Sequence, residues 1–125
     1  MKHIRRVALC SFIAVLVTLS VSVLAYGYNM SFDLDRRSPY KKGELWYFDE
    51  TTIDFGVENY KGGDSKIQFC KVREWAPDKI EAEFKLTPRN SSYIERVHVT
   101  NSNAYYATVH WIKNYPSGDI IAEWR

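Results

Sequence analysis

The sequence has 125 residues, of which 17 are Lys or Arg and 15 are Asp or Glu, and its formal net charge at pH 7 is +2. This length suits one domain with one modest core. The near balance of charges excludes the strongly basic surface that nucleic-acid binding requires, so we expect no nucleic acid among its partners. Aromatic residues make up 15% of the chain, which is too much apolar surface for a disordered protein.

The chain opens with a basic segment followed by a long apolar one. Lys2, Arg5 and Arg6 precede residues 7–25, which contain no charged side chain. A helix of about 19 residues, rising about 1.5 Å per residue, matches the hydrocarbon core of a bilayer. We therefore predict a membrane anchor, and the basic residues place its N-terminus in the cytoplasm. The alternative is a signal peptide cleaved after Ala25, because a small residue at that place fits a peptidase site.

The apolar segment defines the first of three predicted regions. Residues 1–25 are the anchor or signal peptide. Residues 26–43 have few periodic apolar positions and contain a Ser-Pro and a Lys-Gly pair, which are typical of turns. We predict that they form a juxtamembrane linker. Residues 44–125 are then a domain on the outer side of the membrane.

Short strands are predicted throughout this domain. The segments concerned are ELWYFDE, TTIDFGVENY, KIQFCKVREW, KIEAEFKLT, YIERVHVT, AYYATVHWIKNY and IIAEWR. In KIEAEFKLT apolar and charged residues alternate with a period of two, which favours a strand over a helix. Turns are predicted at KGGD and WAPD, and PSGD is predicted to close a hairpin between the last two segments.

The spacing of these segments indicates the fold class. About seven short strands joined by turns are typical of a mainly β domain. We expect a small antiparallel sandwich or a barrel-like sheet, with room for one short helix, after the N-terminal apolar helix.

One cysteine, Cys70, lies outside the apolar segment. It cannot form a disulfide within the domain, because no second cysteine follows residue 25. It follows Phe69 in an apolar run, so we expect it to be buried and unreactive. The alternatives are a bridge to another molecule and a reactive thiol.

The sequence holds no recognisable catalytic or metal-binding pattern. The domain has two histidines, His98 and His110, on different predicted strands and without a partner at ligand spacing. There is no Gly-x-Ser-x-Gly element and no phosphate-binding loop. We therefore expect no metal, no cofactor and no enzymatic activity. If the protein were an enzyme, these two histidines would be the first residues to test.

Aromatic residues that stand next to each other indicate a binding surface. Tyr105 and Tyr106 are consecutive, so they point to opposite faces of a strand. One sheet face cannot hold all such residues, and Trp and Tyr are favoured anchors in protein interfaces. We predict Trp46, Tyr105, Tyr106 and Trp111 as binding residues. The alternative is a two-layer sandwich that buries both sets.

Together these features predict a small membrane-anchored, extracytoplasmic module whose partner is another protein. The absence of a disulfide points to a bacterium, where the domain would lie in the periplasm, held at the inner membrane by residues 7–25. A concrete form is an inhibitor or immunity-type protein that blocks a foreign or envelope protein. The alternatives are an accessory subunit of an inner-membrane complex and an uncharacterised envelope enzyme. Cleavage after Ala25 would instead leave a soluble periplasmic or secreted protein.

Overall fold

The computed structural model describes residues 26–124, which form an antiparallel sheet of six strands. The strands are β1 (Tyr26–Asp33), β2 (Tyr40–Lys42), β3 (Thr52–Lys71), β4 (Lys79–Leu86), β5 (Tyr93–His98) and β6 (Tyr105–Trp124). The expected mainly β, antiparallel class is confirmed, and the described residues contain no helix that could cross a bilayer. The predicted N-terminal anchor lies outside the described residues.

The two longest strands, β3 and β6, have 20 residues each and pair with one another. The first part of β3 pairs with β5 on its other side, and the last part of β6 pairs with β1. We call β1, β5, the first part of β3 and the last part of β6 together the β5 half. The rest of β3 pairs with β4, and the first part of β6 pairs with β2. We call this second group the β4 half.

Both long strands bend between the two halves, at residues 58–65 of β3 and 113–117 of β6. The pairing of β3 with β6 shifts register three times in this region, and such bulges turn a strand sharply without ending it. Asn59, Gly62 and Asn114 have positive φ angles there, of 55°, 93° and 61°. A Cβ atom on Gly62 would lie 2.1 Å from the carbonyl oxygen of Tyr115, so only glycine fits this position.

The predicted turn at KGGD and the predicted hairpin at PSGD are therefore wrong. The chain bends at both places, but it continues in the same strand. Glycine and asparagine supply positive φ angles to bulges as readily as to turns, so the local sequence does not separate the two. Four predicted strands thus become two long ones, β3 and β6. The total is six because the ELWYFDE segment forms no strand and two unpredicted strands, β1 and β2, are present.

Residues 26–43, expected to be a linker, contain β1 and β2. β1 pairs with β6 along its whole length, from Tyr26 opposite Trp124 to Asp33 opposite Ser117. Alternate side chains of this segment pack on the core, namely Tyr28, Met30, Phe32 and Leu34. Gly27, Asn29 and Ser31 stand between them, and such residues are poor strand formers. The alternation is present in the sequence, but weak propensity obscures it.

The core lies between the two halves and is rich in aromatic rings. Phe55 of the β5 half has its ring centroid 4.6 Å from that of Phe69 in the β4 half. Residues 44–50 were predicted as a strand, but they form only one bridge, between Trp46 and Tyr105. Phe48 fills the space between the ends of the halves, with its ring 5.7 Å from Tyr105.

Two predicted strands are present. KIEAEFKLT forms β4, and Ala82, Phe84 and Leu86 are buried as the period of two requires. Ile80, expected on the same side, is 49% exposed, because the register shifts between Phe69 and Cys70. YIERVHVT contains β5, where Val97 is buried and His98 points to the opposite side. Cys70 is also buried, as expected.

Candidate functional site

Two of the four predicted binding aromatics lie deep in the core. Trp46 is 4% exposed and stacks on Tyr28, with the ring centroids 5.3 Å apart. Tyr105 is fully buried and stacks on Phe69, and its hydroxyl accepts a hydrogen bond from the Thr100 N–H at 2.8 Å. Packing in the core therefore explains why both positions carry a large aromatic ring. Their role in partner binding stays a prediction, and exposed surface has to be sought elsewhere.

The other two predicted residues lie nearer the surface. Trp111 is half-buried against the core, and its indole N–H donates to the Asn114 carbonyl at 2.7 Å. Tyr106 lies on the opposite side of β6, where it is largely covered. Sequence reasoning separated Tyr105 from Tyr106 correctly as residues of opposite faces.

Tyr106 belongs to a broad polar surface, the side of the β4 half that faces away from the core. We call it the outer face. Its side chains come from four adjacent strands and are Tyr40, Lys42, Lys66, Gln68, Cys70, Glu83, Lys85, Tyr106, Thr108 and His110. They form cross-strand rows, because residues that stand opposite each other in a ladder share a face.

The central row of the outer face is fixed by hydrogen bonds. The Gln68 amide donates to a Glu83 carboxylate oxygen at 2.6 Å, and the Thr108 hydroxyl donates to the Gln68 carbonyl oxygen at 3.2 Å. The Thr108 hydroxyl also lies 3.2 Å from Nε2 of His110. Side chains held in this way are ordered before any partner arrives.

A second cluster surrounds Tyr106. Its hydroxyl donates to a carboxylate oxygen of Asp78 at 2.6 Å, and the Lys42 ammonium lies 4.3 Å from the centre of its ring. The hydrogen bond with Asp78 raises the pKa of Tyr106 and lowers the pKa of Asp78. Burial raises the pKa of the neighbouring Cys70, so this thiol is a poor nucleophile at neutral pH.

The remaining row is electrostatically unfavourable. Lys66 stands directly opposite Lys85 on one side and opposite His110 on the other. Like charges directly opposite each other in a sheet are destabilising. Among the described residues neither lysine has an ion-pair partner. Burial lowers the pKa of His110, and the nearby Lys66 lowers it further. The outer face therefore presents two opposed lysines beside a histidine.

A second surface lies at the end of the sheet away from the bend. We call it the open end, and it consists of the loops at residues 45–51, 72–78 and 99–104. A groove of about 620 Å³ runs through it. Trp75 and Tyr47, which are 94% and 58% exposed, line this groove.

The loop that carries Trp75 is held in a fixed shape. The Arg73 backbone N–H donates to an Asp78 carboxylate oxygen at 3.2 Å, and the Arg73 guanidinium donates to the Pro77 carbonyl at 2.8 Å. Tyr106 holds Asp78 from the outer face. Trp75 is thus an exposed aromatic on an ordered loop, which leaves its ring available for a contact.

Sequence reasoning missed both Trp75 and the opposed lysines. The signal for Trp75 was available, because it lies in the predicted WAPD turn and connecting segments run over the protein surface. The opposition of Lys66 and Lys85 had no local signal, since it depends on the register between β3 and β4.

The structure places the two histidines named above on different strands, β5 and β6. His98 lies on β5 with its ring nitrogen 3.3 Å from the Thr51 carbonyl, whereas His110 belongs to the outer face. Within residues 26–124 no group of three or more His, Cys, Asp or Glu side chains is arranged to hold a metal ion.

Comparison with known proteins finds no protein family, no curated protein and no solved structure that matches this chain. The outer face and the open end therefore have to be interpreted from their own chemistry. The outer face offers opposed cations on an ordered surface, and the open end offers exposed aromatic rings beside the start of β1.

Proposed function

We propose that this protein is a membrane-anchored, extracytoplasmic protein-binding module, and that its outer face binds an acidic surface of the partner. The observation that carries the proposal is the row in which Lys66 faces Lys85, with His110 beside it. An acidic partner would remove the repulsion between the lysines. The binding energy then includes relief of a strain that the free protein retains.

The shape of the outer face supports a protein partner over a small molecule. Small-molecule sites are concave and enclose most of their ligand. The outer face is instead the surface of four adjacent strands. Tyr40, which is half-exposed and has its ring centroid 4.9 Å from that of His110, supplies an aromatic contact of the kind that protein interfaces favour.

Order in the free state also favours binding. The hydrogen bonds from Gln68 to Glu83 and from Thr108 to Gln68 hold the centre of the outer face. Side chains that are already immobile lose little conformational entropy when a partner docks. This arrangement suits a surface that has to recognise one partner without rearrangement.

The apolar residues 7–25 support a place at a membrane, with the domain on the outer side. In a bacterial envelope the module would act in the periplasm. A concrete form is an inhibitor or immunity-type role, in which the outer face covers an acidic surface of a toxin or lytic enzyme.

Site-specific photo-crosslinking tests this proposal. A photoreactive amino acid replaces Tyr40 in the full chain, which is expressed in its own cells, and the captured protein is identified by mass spectrometry. The double variant Lys66→Glu/Lys85→Glu should lose the captured partner, because it reverses the charge of the row. Lys61→Glu is the matched control, since Lys61 is exposed on the bend. Capture that survives the double reversal would contradict the proposal.

A further inference from the structure

We infer that the open end rests against the outer surface of the membrane and that Trp75 enters the lipid headgroup region. The inference depends on the membrane anchor in the proposed function. It concerns a different surface from the outer face, and its partner is lipid instead of protein.

The first argument is the length of chain between the apolar segment and the fold. The apolar segment ends at Ala25, and β1 begins at Tyr26. One residue of extended chain spans at most about 3.6 Å. If residues 7–25 cross the bilayer, the beginning of β1 therefore lies at the membrane surface, because no spacer separates the two.

The second argument is that β1 begins at the open end. Tyr26 stands opposite Trp124, at the last position of the ladder between β1 and β6. Two residues further along β1, the Tyr28 hydroxyl donates to the Tyr47 carbonyl at 2.8 Å. Tyr47 lines the same groove as Trp75. Tyr28 and Tyr47 thus connect the start of β1 with the groove that Trp75 lines.

The composition of the open end fits the headgroup region. Tryptophan and tyrosine are enriched at membrane interfaces, where the ring meets the acyl boundary and the polar atom stays hydrated. Trp75 and Tyr47 supply these rings. The loops of the open end carry Asp49, Glu50, Glu74 and Asp78 against Arg73, so the affinity for the headgroup region would come from the rings and not from attraction to anionic lipid.

The opposite end of the molecule provides an internal comparison. Tyr115 lies at the bend and is 70% exposed, so it is an aromatic residue of similar accessibility. β1 has eight residues and runs from the open end to the bend, which separates the two ends by about 25 Å at about 3.3 Å per residue. Exposed aromatics are therefore present at both ends, but only those of the open end would reach lipid.

Fluorescence quenching by brominated lipid tests the inference on the full chain. The protein is reconstituted into vesicles of phosphatidylethanolamine and phosphatidylglycerol whose acyl chains carry bromine near the headgroup. Because Trp124 stands opposite Tyr26 at the start of β1, every protein compared carries Trp124→Phe. In this background Trp75→Phe should remove most of the bromine-dependent quenching. Because Trp75 is almost fully exposed, this change leaves the core intact.

The matched control moves the tryptophan to the other end. The variant Trp75→Phe/Tyr115→Trp places an exposed indole on the bend, and this indole should fluoresce without quenching by the brominated lipid. If Trp75→Phe keeps the quenching of the Trp124→Phe protein, or if the bend tryptophan is quenched as strongly as Trp75, the inference is overturned while the anchor stands. If the full chain does not remain with the vesicles after an alkaline carbonate wash, the anchor fails and the inference falls with it.

Discussion

The inner and outer sides of the β4 half are built from the same strands, yet different forces determine them. On β3, Ile67 and Phe69 point inward and are fully buried, while Lys66 and Gln68 alternate with them on the outer face. Burying a large apolar side chain contributes about 1.5–3 kcal/mol, so the inner side is explained by folding. The outer side contains a lysine pair whose repulsion opposes folding.

This difference shows where to look for function in this protein. Local choices in a sequence normally agree with the fold, and the exceptions concentrate at functional sites. The inner residues Ile67, Phe69, Phe84 and Leu86 agree with the fold, because all four are buried. The opposition of Lys66 and Lys85 is an exception, and the two sides should therefore differ in their sensitivity to change.

The largest effect is expected from removal of the last residues. Truncation after Gly118 deletes Ile120 and Ala122, which are fully buried. It also removes the last part of β6, which pairs with both β1 and the first part of β3. We expect the domain to lose its cooperative unfolding transition, measured by near-ultraviolet circular dichroism of the full chain in mild detergent. An unchanged melting transition would show that the β5 half does not depend on β6.

The next largest effect is expected from the loss of a buried aromatic ring. Tyr105→Ala removes a buried ring that stacks on Phe69 and should lower the free energy of unfolding by about 3–5 kcal/mol. Urea unfolding followed by tryptophan fluorescence measures this loss. Tyr115→Ala is the control and should change stability by about 0.5 kcal/mol or less, because Tyr115 is exposed. Equal losses in the two variants would contradict the assignment of the core.

Tyr106→Phe tests the link between the outer face and the loop of Trp75. In the folded state the hydrogen bond from Tyr106 lowers the pKa of Asp78 below its ordinary value of 3.8. The bond therefore stabilises the protein above that value, and the stabilisation is lost as the pH falls through the lowered pKa. At neutral pH the free energy of unfolding of the wild type should exceed that of the variant, and this difference should shrink in acid. Urea unfolding at several pH values measures it, and a difference that does not vary with pH would oppose this explanation.

The smallest effect on stability, and the most informative, is expected from Lys85→Glu. The new carboxylate would face Lys66, so repulsion becomes attraction and the free energy of unfolding should rise by about 0.5 kcal/mol or less. The same change should weaken capture of the acidic partner. Lys85→Gln, measured in the same urea series, should lie between the two. A loss of stability in Lys85→Glu would mean that the lysine pair serves the fold.

Much of the fold was predictable from local pattern. The alternation in β4 and β5 placed their faces correctly, and the apolar neighbours of Cys70 indicated its burial. The candidate site was less accessible to sequence reasoning. Trp46 and Tyr105 carry large rings, which protein interfaces and protein cores both favour. Their residue types therefore do not tell which of the two environments they occupy. Only their packing partners distinguish the two.

The sequence by itself determined that the domain is mainly β, that its sheet is antiparallel and which side of most strands is apolar, because these properties follow from the period of two along the chain. The tertiary structure decided that the Gly- and Asn-containing segments bend β3 and β6 instead of ending them, since this depends on how the two strands pair with each other. It also decided that Lys66 faces Lys85. A two-residue shift of register between β3 and β4 would keep their apolar residues on the inner side and would separate the two lysines, so the period of two does not specify which register forms.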